Sequence, residues 1–146
     1  MIDLATRVVV GWSIPSNMRT PLIIDTLVMA RTHERLATDG VIFHSDQGAQ
    51  YTSGDFQRWC AENKATRSMG LTGVCWENTV AENFLSHLKT EMYHHCEFPK
   101  HLSARTAFME YIDSCYNRRR PHSNSQGLPP AKALAEYESQ LKPIAA

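Results

Sequence analysis

The sequence lacks the features that mark several specialised classes of protein. No apolar run is long enough to span a bilayer, and no secretory signal peptide is present. We therefore expect a cytoplasmic protein with no membrane partner. Formal net charge is zero, because 15 Lys and Arg balance 15 Asp and Glu. This balance argues against a protein that simply coats DNA with positive charge. The 146 residues are enough for one domain with one core.

Close cysteine pairs are also missing. The four cysteines are far apart in the chain, with no C-x-x-C pair, at Cys60, Cys75, Cys96 and Cys115. Structural zinc sites usually contain closely spaced ligand pairs, so we expect partly buried free thiols rather than zinc ligands.

Apolar periodicity and capping residues predict an α/β fold. β-branched and aromatic residues predict strands over Met1–Leu4, Arg7–Ile14, Val41–His44 and Ala65–Met69. Apolar stripes predict helices over Pro21 to about Leu36, Gly54 to about Asn63, Thr79–His94, Ala104–Asn117 and about Pro129–Leu141. The N-caps expected for the first four helices are Thr20, Ser53, Asn78 and Ser103. A mixed sheet covered by helices fits this order.

The stretch "VIFHSDQGAQYTS" places a carboxylate at the end of a predicted buried strand. Asp46 follows Val41–His44 almost directly. In open α/β sheets, ligands bind beyond the carboxyl ends of the strands, so Asp46 is a candidate site residue. The alternative is a plain turn at Asp46-Gln47-Gly48, because Asp and Gly favour turns for local reasons.

A second carboxylate lies on the predicted helix after Asn78. Glu82 is two residues beyond Val80, about 200° around the helix, and so points away from the apolar stripe. Lys89 is seven residues further, almost two turns, and lies on the same side as Glu82. This face could hold a metal and a phosphate. The alternative is a solvated helix face with no function.

The spacing of the two carboxylates connects them to a known family. Between Asp46 and Glu82 there are 82 − 46 − 1 = 35 residues, and Lys89 follows seven later. This pattern resembles the D,D(35)E core of retroviral-type integrases and transposases. "HSDQGAQYTS" and "CWENTVAENFLSHLKTE" are similar to its second-aspartate and glutamate-helix motifs, and "YNRRRPHS" with "LPPAKA" to the tail of bacterial insertion-sequence transposases. Departures are mild: Glu77 stands where Asp is usual, and Asn83 where Ser is common.

The resemblance implies an RNase H-like mixed sheet flanked by helices, and phosphoryl transfer at DNA 3′ ends. Asp46 and Glu82 would bind two Mg²⁺ (or Mn²⁺) ions, which prefer carboxylate oxygens. Lys89 would contact DNA near the cut. Arg118, Arg119 and Arg120 are candidates for contacts to the DNA backbone, or else a charge cluster at a helix C-terminus.

The resemblance also implies a gap. "IDLATRVVVGW" is similar to the strand pair after the family's first catalytic aspartate, so that aspartate and its central strand are expected to be absent from this chain. Asp3 matches a second-strand position rather than the catalytic one. We therefore expect residues 1–122 to be a partial, N-terminally truncated catalytic core and residues 123–146 a tail with a short helix.

Such a chain is expected to be inactive and marginally stable alone, with DNA and further transposase copies as partners. It would also lack the helix-turn-helix region expected upstream. The alternative is a regulatory fragment that binds DNA or intact transposase and inhibits it. A third hypothesis is an unrelated α/β domain in which the spacing arose by chance.

Overall fold

The computed structural model describes residues 1–14, 21–32, 40–70 and 78–141. Their helices and strands are α1 (Pro21–Thr32), β1 (Ile42–Ser45), α2 (Gly54–Glu62), β2 (Thr66–Met69), α3 (Thr79–Glu91), α4 (His101–Glu110) and α5 (Pro130–Leu141). A π-helical segment, Tyr111–Tyr116, continues α4. Within these ranges no helix is both long enough and apolar enough to cross a bilayer.

The chain forms two compact units, and each draws on two separate stretches of sequence. The first unit is Met1 with Val10–Leu85, and the second is Ile2–Val9 with Ser86–Ala146. Asp46 and Glu82 lie in the first unit, whereas Lys89 and the three consecutive arginines lie in the second.

The first unit is built around a short parallel sheet. β1 pairs with β2 in the register Ile42↔Thr66 to Ser45↔Met69. Helices α1 and α2 supply a core cluster of buried residues, which are Ile23, Leu27, Phe56 and Cys60. α2 begins where predicted, because the Ser53 side chain accepts a hydrogen bond from the backbone N–H of Phe56 at 3.3 Å.

The second unit is organised around a buried amide. Asn117 Oδ1 accepts from the Val9 N–H at 3.0 Å, and Asn117 Nδ2 donates to the Val9 carbonyl at 3.1 Å. The Asn117 carbonyl accepts from the Ala131 N–H at 2.8 Å, which ties the start of α5 to the same residue. Buried apolar side chains complete this unit, namely Val8, Val9, Leu88, Met92, Tyr111, Ile112, Tyr116 and Leu134.

The predicted strands Met1–Leu4 and Arg7–Ile14 are not formed as regular strands. One antiparallel bridge joins Ile2 to Val9. Asp3 holds the intervening turn, because its Oδ2 accepts from the Thr6 N–H at 3.0 Å and from the Thr6 hydroxyl. Arg7 then has a positive φ of 66°. Local strand propensity is therefore overridden by this turn and by the Asn117 amide, which binds both backbone groups of Val9.

The remaining predicted elements differ mainly at their ends. β1 is one residue later than predicted, and it is not the buried strand expected, because Ile42 is exposed and only Ser45 is buried. Thr20 lies outside the described residues. α3 ends at Glu91 and is followed by a 3₁₀ turn. α4 begins earlier, at His101, so Ser103 is not the N-cap; its Oγ instead accepts from the Lys100 N–H at 3.3 Å. Of the thiols expected to be partly buried, Cys60 is buried, whereas Cys96 and Cys115 are exposed. At Cys115 the π-helical segment changes which side chains face the core.

Candidate active site

Asp46 lies immediately beyond the carboxyl end of β1. Ser45 before it is buried and Asp46 itself is exposed. The Gly70 N–H donates to the Ser45 carbonyl at 3.0 Å, which extends the pairing of β1 with β2 by one bond. Gln47 Nε2 donates to the Gly70 carbonyl at 3.1 Å. Asp46 is therefore held between two residues that are both bonded to the end of β2.

The Asp46 carboxylate is also part of a turn, as the local alternative predicted. Its Oδ1 accepts from the Gly48 N–H at 2.9 Å, and the Tyr51 N–H donates to the Gly48 carbonyl at 2.9 Å. Oδ2 makes no hydrogen bond to any of the described residues. The turn thus orients the carboxylate and leaves one oxygen available to a ligand.

Three aromatic rings support this loop. Ring centroids of Phe43, Tyr51 and Phe56 lie 5.3–5.9 Å apart in tilted and edge-on arrangements. Burial, and then the negative charge of Asp46, raise the pKa of Tyr51. Sequence reasoning missed this role of Tyr51, although its position five residues beyond Asp46 in the quoted motif was a usable signal.

His44 adds a second support that the sequence alone did not reveal. It pairs with Ser68 across the sheet, and His44 Nδ1 lies 3.1 Å from Ser68 Oγ. The register of β1 against β2 is the information needed to find this contact, and it depends on tertiary pairing.

Glu82 and Lys89 lie at opposite ends of α3. Glu82 is exposed in its first turn, where the positive end of the helix dipole favours a carboxylate. Lys89 is exposed in its last turn. The predicted apolar stripe is confirmed, because Leu88 and Met92 are buried and the two earlier members, Val80 and Phe84, are half-buried.

The three arginines after the π-helical segment have different surroundings. Arg118 and Arg119 are exposed, and neither side chain has a hydrogen bond or ion pair among the described residues. Arg120 forms an ion pair with Glu91, at 2.5 Å between Nη1 and Oε1, and its side chain is only 22% exposed. Arg118 and Arg119 are thus free to contact the DNA backbone as predicted, whereas Arg120 is engaged within the protein.

The chemistry of the donors suits a hard divalent ion, because Asp46 and Glu82 offer carboxylate oxygens. Across 1–14, 21–32, 40–70 and 78–141, no three His, Cys, Asp or Glu side chains form a group that could hold a metal ion.

Comparison with known proteins places the chain among integrases and transposases. Two family profiles described as "Integrase core domain" match residues 1–75 and 63–130. The transposase InsF for insertion sequence IS3A of Escherichia coli K12 is 38% identical over 130 residues, covering 89% of this chain and 45% of the relative. The transposase for IS904 of Lactococcus lactis is 34% identical over 138 residues, covering 94% and 54%. This chain thus spans about half the length of these relatives.

Among solved structures, the catalytic core domain of BIV integrase has a TM-score of 0.62 at 17% identity, covering 93% of this chain and 86% of that one. This likeness confirms the RNase H-like α/β fold. The first profile alone covers just over half of the sequence. The chain therefore belongs to the integrase core domain family.

Proposed function

We propose that this chain is catalytic-core material of an insertion-sequence transposase that acts in DNA transposition and integration. The observation that carries the proposal is Asp46 itself, which lies directly beyond β1, with Oδ1 fixed by Gly48 and the next residue bonded to Gly70. The two relatives named as transposases support the same class of reaction.

In this proposal Asp46 and Glu82 hold the metal and the second unit contacts DNA. Bound Mg²⁺ (or Mn²⁺) would supply the activated nucleophile and stabilise the leaving oxygen. Asp46 presents an oriented carboxylate, and Glu82 presents one at a helix N-terminus. Lys89 and the exposed Arg118 and Arg119 are suited to phosphate, since each is a solvated cation.

We further propose that the 146 residues alone are catalytically incomplete. Two carboxylates leave a two-metal site without a bridging ligand. Among the residues that the structure describes, no three His, Cys, Asp or Glu side chains form a group that could hold a metal ion. We expect no Mg²⁺- or Mn²⁺-dependent nicking or joining of end-containing DNA by this chain above background. Joining that is abolished by Asp46→Asn would contradict this incompleteness.

A chimera tests the two carboxylates directly. The matching region of the Escherichia coli InsF relative would be replaced by this chain, and cleavage at the ends of its insertion sequence measured with Mg²⁺. We expect Asp46→Asn and Glu82→Gln each to lower the rate by about 100-fold or more. Asp55→Asn is the matched control, because Asp55 is an exposed carboxylate paired with Arg58 on α2. Equal cleavage by Asp46→Asn and Asp55→Asn would refute the assignment.

The second candidate function is a regulatory one. A chain that has exposed cations but only two of the three carboxylates expected for the active site could bind DNA ends or intact transposase without cutting. Inhibition of the intact enzyme by this chain, undiminished by Asp46→Asn and Glu82→Gln, would favour it. Loss of inhibition in those variants would argue against it.

A further inference from the structure

The Arg120 guanidinium contacts two residues of α3 that flank Lys89. Its Nη1 lies 2.5 Å from Glu91 Oε1, and its Nη2 lies 2.9 Å from His87 Nδ1. A guanidinium can only donate, so Nδ1 of His87 accepts this bond. His87 and Glu91 are four residues apart and therefore share one helix face.

The Glu91 carboxylate is fully engaged within the second unit. Oε1 faces Arg120, and Oε2 accepts from the Tyr111 hydroxyl at 2.8 Å. Burial, followed by the hydrogen bond to Glu91, raises the pKa of Tyr111, so this hydroxyl stays protonated and donates. We call the four side chains His87, Glu91, Tyr111 and Arg120 the α3 clamp.

The α3 clamp rests on a well-anchored part of the chain. The backbone N–H of Arg120 donates to the Cys115 carbonyl at 2.9 Å, at the end of the π-helical segment. Three residues before Arg120, Asn117 is buried and bonded to Val9. The guanidinium is therefore presented to α3 from a fixed base, whereas Arg118 and Arg119 face solvent.

Lys89 lies on the opposite side of the clamped turn. It is two residues from His87 and two from Glu91, about 200° around the helix from each. It is exposed, while its neighbour Leu88 is buried. Fixing positions 87 and 91 thus fixes the direction in which Lys89 leaves the helix.

We propose that Arg120 is a positioning residue, which acts through Glu91 and His87 to orient Lys89, and that it does not itself contact phosphate. The inference rests on the DNA contact by Lys89 in the proposed function. Arginine suits this role because its planar fork can reach two acceptors at once, which the single ammonium of lysine does less well.

The clamp itself is tested by thermal unfolding of the whole chain. We expect Arg120→Gln and Glu91→Gln each to lower the Tm, and the double variant to lower it no further than the larger single effect, because the two side chains act as a pair. Arg118→Gln is the matched control and should leave the Tm unchanged. If the decreases in Tm caused by Arg120→Gln and Glu91→Gln add in the double variant, the two side chains do not act as a pair and the α3 clamp is refuted.

The positioning role is tested by binding to a duplex DNA, measured by fluorescence anisotropy at a temperature where every variant is folded. We expect Glu91→Gln to weaken DNA binding by about threefold or more, because Lys89 is no longer oriented. If only net charge mattered, removal of this acidic side chain should strengthen DNA binding. When Lys89→Gln is already present, adding Arg120→Gln should not lower the DNA affinity further, whereas adding Arg118→Gln should still lower it.

The conservative variant separates positioning from phosphate contact. Arg120→Lys keeps the charge but not the two-pronged contact, so we expect it to bind DNA as poorly as Arg120→Gln. Arg120→Lys could instead bind DNA as tightly as the wild type, while the loss of affinity in Arg120→Gln adds to the loss in Lys89→Gln. That result would show that Arg120 contacts phosphate and would overturn the proposal. Failure of the wild-type chain to bind DNA at all would instead overturn the DNA contact in the proposed function.

Discussion

A single side chain, Asn117, replaces a strand as the partner of Val9. Its amide both donates and accepts, so it satisfies the N–H and the C=O of one buried residue. Asn117→Asp keeps the shape of the side chain but cannot donate to the Val9 carbonyl, and it buries a charge. We expect a loss of about 1–3 kcal/mol in the free energy of unfolding, measured with urea.

Asn124→Asp is the control for this substitution. Asn124 also bonds through both ends of its amide, to Arg7 and to the Ala5 carbonyl, but it is exposed. We expect a change within about 0.5 kcal/mol there. Equal losses in the two variants would mean that the buried amide pairing contributes little.

The roles of the single residues in the motif "YNRRRPHS" could not be predicted from sequence. The resemblance identified the motif, but the roles within it differ: Tyr116 and Asn117 are buried, Arg120 is ion-paired, and Arg118 and Arg119 are exposed. Those roles depend on partners such as Val9, 108 residues away from Asn117. Local spacing carries no information about such contacts.

At the scale of elements, the segment after Val10 packs closely against α1. A Cβ added at Gly11 would lie 2.3 Å from the Thr26 carbonyl oxygen. The backbone must therefore move to accept a methyl group. We expect Gly11→Ala to lower the free energy of unfolding by about 1–3 kcal/mol in urea titrations.

Gly54→Ala is the matched substitution in the same unit. Gly54 is the first residue of α2, and an added Cβ would meet nothing within 4 Å. We expect it to be neutral or to stabilise by about 0.4–1 kcal/mol, because alanine restricts the unfolded chain. A Gly11→Ala variant as stable as Gly54→Ala would contradict the close approach of the two segments.

Elements with strong local signals were predicted well, and those held by distant contacts were not. The Ser53 cap and the prolines before α5 gave the starts of α2 and α5 to within a residue. The strand Arg7–Ile14 was wrong because a turn and the Asn117 amide take its hydrogen bonds. The ends of α3 and α4 shifted because 3₁₀ and π geometry depends on packing.

At the scale of the whole molecule, His122 makes stability depend on pH. Burial, and then the cations Arg7 and Arg120, lower the pKa of His122 below its ordinary value. The unfolded chain therefore binds more protons at this group. Its contribution to stability is full above the unfolded pKa of about 6.5 and is lost as the pH falls below that value.

We expect the free energy of unfolding, measured with urea, to fall as the pH is lowered from about 7.5 to about 5. His122→Asn should reduce this fall, since asparagine can still accept from Asn124 as His122 does. An equal fall in the wild type and in His122→Asn would contradict the assignment.

The positions of the two candidate carboxylates within their elements could be predicted from sequence, whereas their role in binding metal stays a prediction. Asp46 at a strand end and Glu82 on an exposed helix face both follow from periodicity, and the structure has them in those positions. The supports of Asp46 could not be predicted, because Gln47 to Gly70 and His44 to Ser68 each join residues more than 20 apart through the register of the sheet.

The bond between Val9 and Asn117 also sets an order of events during synthesis. Ile2–Val9 leaves the ribosome before its partner amide, which emerges only after residues 10–85 of the first unit have been made. Until then the run Val8–Val10, which is buried in the finished chain, lacks the amide that binds both backbone groups of Val9, and it strongly favours β-structure. A nascent or prematurely terminated chain that stops before Asn117 would therefore expose a segment prone to aggregate, and would be a natural target for chaperones and proteases.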